Sequence, residues 1–336
     1  MTSEIPGLPG AIESCIGFLR HHQSADGSWS DWDLSPGASD SWTTAYLGCQ
    51  LVAVTAPWRE RTVPCTRSAA GWLKSHELET GGWGYNPRVG ADADSTALAI
   101  RLQSLEGAPI RAASWRRLRE FQQPDGGFAT YSADDGLGSW GASTADVSAS
   151  AGYALLGANE KADAQTDDHA DWDTDNHADG DTGSALARTV GYLMTQRRPD
   201  GLWNSFWWSS PLYATRAALA LLVAVRGRLD LTRTRHTLLG VQARNAFDGA
   251  LLLDCLELLT TGGPRCTTVA SLAETLIATQ LSDGSWTSVP VLRLTDRDCL
   301  RPWECLQAGP LYADPQRLFT SATVVAALSR LWPESA

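Results

Sequence analysis

The stretch QSADGSW at residues 23–29 recurs as QQPDGGF at 122–128 and as QLSDGSW at 280–286. Each copy reads Gln, three residues, Gly, one residue and an aromatic. Looser copies end in the aromatics Trp83 and Trp203. An amphipathic stretch precedes each copy, a stretch of small and apolar residues follows it, and Asp-Gly is strong turn chemistry. The phrase therefore predicts a repeated unit of helix, Gly-containing turn and helix.

The spacing of the phrases predicts the number of units. The closing aromatics fall at positions 29, 83, 128, 203 and 286. The long third interval contains a segment of mostly Asp, Ala, His, Thr and Gly, residues 159–183, which we interpret as an acidic low-complexity loop insert. The last interval leaves room for a degenerate copy near residues 242–257. Six units of roughly 40 to 55 residues follow, a scale typical of stacked helical pairs. Six helical hairpins closed on one another make an all-α (α/α)6 barrel, a single domain over residues 1–336.

Composition excludes several classes of protein. The formal net charge of −11 argues against a nucleic-acid-binding protein, because no basic stripe is present to neutralise phosphates. The seven Cys stand singly, which suits reduced thiols in a cytoplasmic protein. The chain begins without a signal-like segment, and no uncharged apolar run reaches the roughly 18 residues of a membrane span. We therefore expect a cytoplasmic protein without a transmembrane segment.

The starts of the second helices carry the candidate chemistry. After GGWGY at residues 81–85, the chain continues to DADST at residues 92–96. When the units are aligned on their turns, equivalent positions at one mouth of the barrel converge on a common cavity. In this alignment the residues at the central position are Trp42, Asp94, Ser148 and Phe319.

Two roles are open for the acidic residues of this segment. Asp40 and Asp146 share the aligned position of Asp92, whereas Asp94 has no acidic counterpart. Asp is a good helix N-cap and negative charge is favourable at a helix start, so both residues could simply cap the helix. The absence of a counterpart makes Asp94 the better candidate for catalysis.

Together, the repeats and the acidic segment resemble the squalene–hopene cyclase and class II terpene cyclase superfamily. The acid motif of that superfamily is Asp-x-Asp-Asp-Thr, on the same segment after the same Gly-Gly-Trp turn. The resemblance implies that Asp94 donates a proton to an alkene or epoxide, with Asp92 as the partner that sets its pKa and Thr96 in the final position. Ser95 stands where the superfamily has its last Asp, and its hydroxyl adds a hydrogen bond without adding charge. A carboxylic acid that stays neutral at neutral pH requires burial or a neighbouring carboxylate, which Asp92 supplies.

Aromatic residues near the mouth are the candidates for a substrate-binding wall. Aromatic faces stabilise carbocations, and a wall built of them excludes water that would quench a cation. The Trp residues inside the phrase instead suit a structural role between units. The resemblance implies a hydrophobic linear isoprenoid or polyene as substrate, and the expected binding residues are Trp42, Trp140, Phe206, Trp207, Trp208, Tyr213 and Phe319.

Two other classes of protein are open on the sequence. A non-catalytic isoprenoid-binding or scaffold protein would keep the barrel without the acid chemistry. A single barrel also resembles the β subunit of protein prenyltransferases, whose zinc needs Asp, Cys and His ligands. Asp296, Asp298 and Cys299 lie near the last repeat, but no His follows His236, so we expect no metal site.

We expect no cofactor, apart from Mg²⁺ if the substrate carries a diphosphate. No clear basic clamp for a diphosphate is evident, although Arg88, Arg216, Arg293 and Arg317 lie near the proposed mouth. A single barrel would leave that mouth open to water, so something must cover it. The insert is too polar to bury its carboxylates. The expected cover is formed by the connections at 130–145 and 290–315, by a second copy of the chain in a homodimer, or by a partner subunit.

Overall fold

The structure, a computed structural model, describes residues 5–165, 179–225, 229–260 and 266–332, and the side chains of all of these except 159–165 and 179–182. The chain folds almost entirely into helices. The α-helices of the described residues are α1 (Leu8–His21), α2 (Asp40–Val52), α3 (Arg59–Ser75), α4 (Ala93–Leu105), α5 (Ala112–Glu120), α6 (Ala145–Gln165), α7 (Asp179–Gln196), α8 (Pro211–Ala224), α9 (Thr232–Leu239), α10 (Ala246–Leu258), α11 (Thr267–Ala278) and α12 (Leu318–Ser329).

The helices form two concentric rings. The even-numbered helices make the inner ring, in which each packs against the next and α12 returns to pack against α2. The odd-numbered helices lie outside, each against an inner helix. Inner helices are enclosed on every side, which is why Ala, Leu and Val occupy most of their faces; every residue of α12 is buried. The predicted all-α (α/α)6 barrel is confirmed, and the closed ring excludes an open solenoid.

The Gly and Gln of the turn phrase join each unit to the next outer helix. Gly284 adopts a φ of 89°, and a Cβ on it would lie 2.4 Å from the carbonyl oxygen of Ser14 in α1. Only Gly permits both this backbone conformation and this approach. The Gln280 side chain donates to the carbonyl oxygens of Gly284 at 2.9 Å and of Ala11 at 2.8 Å. The last phrase thereby fastens the sixth unit to α1 of the first and closes the ring.

The closing aromatic holds the two helices of its own unit together. Trp286 is fully buried, its indole N–H donates to the carbonyl oxygen of Leu276 in α11 at 2.7 Å, and its main-chain N–H donates to the Ser321 hydroxyl of α12 at 3.2 Å. Indoles in three other units donate in the same way to the outer helix before them. The hydroxyl groups that accept the main-chain N–H in the other units belong to Thr44, Thr96, Ser148 and Thr215. These contacts fix the register of the inner helices.

The connections from outer to inner helices gather at one mouth of the barrel. Three of them contain two-residue antiparallel strand pairs, and the third pair brings the two ends of a long connection together. The pairs are β1 (Asp33–Leu34) with β2 (Gly37–Ala38), β3 (Phe128–Ala129) with β4 (Ser143–Thr144), and β5 (Leu292–Arg293) with β6 (Leu311–Tyr312).

Helices α6 and α7 extend into the predicted loop insert at residues 159–183 from both sides. The backbone is helical up to Gln165 and again from Asp179. Ala, Glu and Lys in residues 160–164 favour a helix, which explains the extension. Residues 166–178 of the insert lie outside the described residues. Among the described residues, none of the helices combines the length and the apolar character that a bilayer span requires.

Candidate active site

A cavity of about 700 Å³ opens at the mouth where the outer-to-inner connections meet. Its size is within the range of small-molecule pockets, and most of its wall is aromatic or aliphatic. Its polar lining includes three residues of the acidic segment and two arginines. The aromatic residues that line it are Trp32, Trp42, Tyr85, Tyr131, Trp140, Trp207 and Trp208.

Asp94 lies in the first turn of α4 and lines this cavity, where it is partly accessible while most of its helix is buried. Its Oδ2 accepts a hydrogen bond from the indole N–H of Trp42 at 2.6 Å. Burial raises the pKa of Asp94 to about 6, the bonds from Trp42 and Ser150 oppose the rise, and the charge of Asp146 adds to it. The carboxyl group therefore keeps its proton to a higher pH than an ordinary Asp, and a donor is in place for the anion that forms when the proton leaves.

The other residues of the acid motif cap α4. The Oδ1 atom of Asp92 accepts from the main-chain N–H of Ser95 and its Oδ2 accepts from the Ser95 hydroxyl, both at 2.7 Å. Burial raises the pKa of Asp92 to about 7 against these two bonds, and the charge of Asp94 contributes to the rise. Asp92 and Ser95 line the cavity, but Thr96 does not, because its hydroxyl is engaged with the main chain of Trp83 in the turn.

The inner helix of the third unit has a different register from the predicted one. The main-chain N–H of the closing aromatic donates to a hydroxyl group on the inner helix of its own unit. This hydroxyl belongs to Thr96 in the second unit and to Ser148 in the third. Asp94 stands two residues before the first of these and Asp146 two residues before the second. The predicted equivalence of Ser148 with Asp94 is therefore wrong, and Asp94 does have an acidic counterpart. The prediction was two residues out of register in the third unit, because the connection between the turn and the inner helix is longer there: 20 residues separate Phe128 from Ser148, against 13 between Trp83 and Thr96.

Four of the seven predicted aromatic residues line the cavity, and the others support it. The Phe319 ring stacks on Trp208 with centroids 4.7 Å apart, and Tyr213 stacks on Trp208 at 4.4 Å. Phe206 is buried and packs edge-on against Trp207. The supporting residues pack behind the residues that line the cavity and do not line it themselves. The four that line the cavity are Trp42, Trp140, Trp207 and Trp208.

Two arginines belong to the cavity wall. Arg293 lies in β5, and its Nη1 atom is buried without a hydrogen-bond partner among the described residues. The guanidinium of Arg297 lies 5.0 Å from the ring centroid of Trp140. Arg216 and Arg317 instead pair with carboxylates away from this cavity. A buried guanidinium without an acceptor is unfavourable, so the wall around Arg293 suits an anionic group of a ligand.

The connections expected to cover the mouth do contact each other. The Trp140 indole N–H donates to the carbonyl oxygen of Thr295 at 2.7 Å, and the Ser139 hydroxyl donates to that of Asp296 at 3.1 Å. Residues from both connections, 130–145 and 290–315, therefore form one continuous wall of the cavity. A homodimer or a partner subunit over the mouth stays a prediction.

The part of the chain that the structure describes contains no group of three or more His, Cys, Asp or Glu residues that could hold a metal ion. Cys299, considered as a zinc ligand, lies instead with its Sγ 3.2 Å from that of Cys305. The absence of a cofactor, and a role for Mg²⁺ with a diphosphate, stay predictions.

Three aromatic residues that line the cavity were not predicted. Trp32, Tyr85 and Tyr131 each stand two or three residues after the closing aromatic of their phrase. Their position two or three residues after the closing aromatic is a signal that could have identified them.

Comparisons with known proteins agree with this architecture, although no protein-family profile matches the chain. The type II terpene cyclase MstE from Scytonema aligns over 97% of this chain and 98% of its own, with a TM-score of 0.79 and 22% identity. ent-Copalyl diphosphate synthase from Streptomyces platensis aligns over 86% of this chain and 50% of its own, with a TM-score of 0.62 and 19% identity. Terpentedienyl-diphosphate synthase from Kitasatospora griseola is 32% identical over 117 residues, which are 33% of this chain and only 22% of that enzyme.

The fold and its acid-bearing cavity therefore define this chain as having the architecture of the type II terpene cyclases. The fold implied by the resemblance to the class II terpene cyclase superfamily is confirmed.

Proposed function

We propose that this chain is a cyclase that converts a linear isoprenoid or related polyene by protonating it. The observation that carries the proposal is the Asp94 carboxyl group, which lines an aromatic cavity and binds the Trp42 indole. The comparison with MstE supports it, because structures of MstE contain geranylgeranyl dihydroxybenzoate as substrate and merosterolic acid A as product.

The reaction begins when Asp94 transfers its proton to the terminal alkene of the bound chain. The π electrons form the new C–H bond and leave a tertiary cation on the neighbouring carbon. Further alkenes attack the cation in turn, each forming a C–C bond and closing a ring. The series ends when a C–H proton is lost, which gives an isomer of the substrate, or when water adds. The Asp94 carboxylate, held by Trp42, then regains a proton from water.

The wall of the cavity contributes to the middle of this sequence. A cation within about 6 Å of an indole face gains on the order of 0.5 to 2 kcal/mol. Trp42 and Trp208, whose ring centroids are 5.8 Å apart, offer two such faces close to the acid. The same indoles keep water away from the cation, so that ring closure can compete with quenching by water.

Arg293 supports an anionic head group on the substrate, such as a carboxylate or a diphosphate. Its buried Nη1 lacks an acceptor among the described residues, and an anion would supply one by accepting a charge-assisted hydrogen bond from it. Arg297 lies on the same wall. Such an anchor orients the chain, because one end is fixed while the apolar remainder extends along the aromatic wall.

The test is a mass-spectrometric assay of the purified protein with farnesyl and geranylgeranyl substrates bearing a hydroxyl, carboxylate or diphosphate head. We expect a product of unchanged mass, or of substrate plus water, from an anionic substrate. Asp94→Asn keeps the side-chain volume and should lower turnover by about 10²- to 10⁴-fold. Asp31→Asn is the matched control, since Asp31 is also a buried carboxyl with a pKa raised by burial to about 7 but does not line the cavity. Binding of the chain without conversion would support the scaffold alternative, and full turnover by the Asp94→Asn protein would refute the mechanism.

A further inference from the structure

Asp146 is a buried carboxylate that the reaction above does not use, although it occupies the position of Asp94 on the adjacent inner helix. It lies in the first turn of α6 with 2% of its surface exposed. Its environment differs from that of Asp94. The Oδ2 atom of Asp146 accepts from the main-chain N–H groups of Phe206 at 2.8 Å and Trp207 at 3.1 Å. The same motif position thus carries one carboxyl group at the cavity and one bound to backbone.

The contact with the backbone determines where the aromatic wall stands. Trp207 lines the cavity, and its indole N–H donates to the Thr130 hydroxyl at 2.8 Å. Its ring meets Trp140 edge-on, with centroids 5.2 Å apart. Asp146 therefore holds the main chain from which one side of the wall projects, while Thr130 and Trp140 hold the ring itself.

The two carboxyl groups differ in the donors that stabilise their anions, two main-chain N–H groups for Asp146 and the Trp42 indole for Asp94. Burial raises the pKa of Asp146, but the N–H groups of Trp207 and Phe206 oppose that rise by stabilising the anion. The start of α6 adds a favourable field for negative charge. The charge of Asp146 in turn raises the pKa of Asp94. The two main-chain N–H donors favour the anion of Asp146, and two carboxyl groups in unlike environments are a recurring arrangement for acid catalysis.

We propose that Asp146 is a positioning residue for the cyclisation, which fixes the Phe206–Trp207 side of the cavity and holds a negative charge beside Asp94. This inference rests on the proposed function. Asp146 acts through other residues, because it binds the main chain of Phe206 and Trp207 and does not line the cavity that would hold the substrate. The other charged or titratable groups around the pair, which remain unchanged in the variants below, are Tyr46, Asp92, Tyr192, Tyr213, Arg216 and Arg293.

Asp146→Asn separates the charge from the backbone contact, because the amide oxygen can still accept from both N–H groups. Removing a negative charge near Asp94 lowers the pKa of that acid, so the protonated, active form is lost at a lower pH. We expect the alkaline limb of the kcat profile to move down by about 0.5 to 1 pH unit. That shift lowers turnover at neutral pH by about 3- to 10-fold, and the share of water-captured product should rise if the wall shifts.

Asp31→Asn is again the matched control. The Oδ2 atom of Asp31 accepts from the N–H groups of Leu318 at 2.8 Å and Phe319 at 3.1 Å, the same pair of contacts in another unit. Asp31 contributes no resolved charge effect at Asp94. Its variant should therefore leave the alkaline limb in place. An Asp146→Asn profile indistinguishable from that of Asp31→Asn would overturn the proposal.

Two further arms keep the test decisive. If the Asp146→Asn protein does not fold, Asp146→Glu is the alternative variant, because it retains the charge. The alkaline limb of its kcat profile should match that of the wild type, while its product ratios change. A displaced limb in Asp146→Glu would contradict the proposal. Infrared titration of the Asp94 carboxyl, assigned with Asp94→Asn, follows its pKa without turnover and should give a lower value in Asp146→Asn. Full activity of the Asp94→Asn protein would refute the proposed function. If Asp94→Asn is inactive but the pKa of Asp94 is the same in Asp146→Asn as in the wild type, only the role of Asp146 is refuted.

Discussion

Trp42→Phe removes the single N–H donor that meets Asp94 Oδ2 at 2.6 Å while it leaves an aromatic ring at the mouth. The indole bond favours the anion of Asp94, so its loss raises the pKa of the acid. A hydrogen bond to a charged acceptor contributes roughly 1.5 to 3 kcal/mol. One pKa unit corresponds to about 1.4 kcal/mol, so the expected rise is about 1 to 2 units.

The variant should therefore be slower but active to a higher pH. The wild-type acid, with a pKa of about 6, loses its proton as the pH rises through that value. In Trp42→Phe the same loss should occur at about pH 7 to 8. A weaker acid protonates an alkene more slowly, so kcat on the acidic plateau should fall on the order of 10-fold. The two pH profiles are expected to approach or cross on the alkaline side.

The assay is kcat against pH for the wild type, Trp42→Phe and Trp140→Phe, with product quantified by mass spectrometry. Trp140 also lines the cavity and donates its indole N–H, but to the Thr295 carbonyl oxygen instead of Asp94. Its variant controls for lost aromatic surface and should not move the alkaline limb. An unmoved or lowered alkaline limb in Trp42→Phe would show that the indole does not act on the proton donor.

Two further predictions concern stability. Burial raises the pKa of Asp31 to about 7, so its contribution to stability is present below the unfolded value of 3.8 and is lost as the pH rises through about 7. The melting temperature should therefore fall between pH 5 and pH 8, and it should fall less in Asp31→Asn. A wild-type melting temperature that rises over this range would contradict this prediction. Gly284→Ala should lower the free energy of unfolding, measured in urea, by at least about 2 kcal/mol, because the φ of Gly284 is 89° and a Cβ would lie 2.4 Å from the Ser14 carbonyl oxygen. Gly157→Ala is the control, and it should be neutral or stabilising because the space around its Cβ position is open. Equal losses of stability at the two positions would contradict the role of the turn glycine.

The fold was predictable because each residue of the turn phrase answers a local requirement. The Gly at position 284 is needed for its backbone conformation, the Gln at 280 for its reach to the next helix, and the Trp at 286 for burial between two helices. The phrase recurs in five of the six units, so repetition in the sequence indicates repetition in the structure. The acid motif was predictable for the same reason, since Asp92 caps the helix that carries Asp94.

Asp146 was predicted to be equivalent to Asp92 instead of Asp94, because an Asp near the start of an inner helix can occupy either of two positions. Asp92 is a cap and Asp94 faces the cavity, and the sequence around Asp146 fits either position. Only the hydrogen bond from Phe128 to Ser148 settles the register. The role of Arg293 depends on contacts across the mouth between connections that share no repeat, and no local pattern encodes them.

The return of α12 to α2, together with the bond from Gln280 to Ala11, changes how the molecule can come apart. A linear array of repeats frays from its ends, one unit at a time, because each terminal unit has a single neighbour. In this ring the first and sixth units have neighbours on both sides, so opening any unit breaks two interfaces at once. Partial unfolding is therefore penalised equally around the circle, and loss of structure should be cooperative. The cavity inherits that cooperativity, because residues from five of the six units line it and its wall stays intact only while the ring is closed.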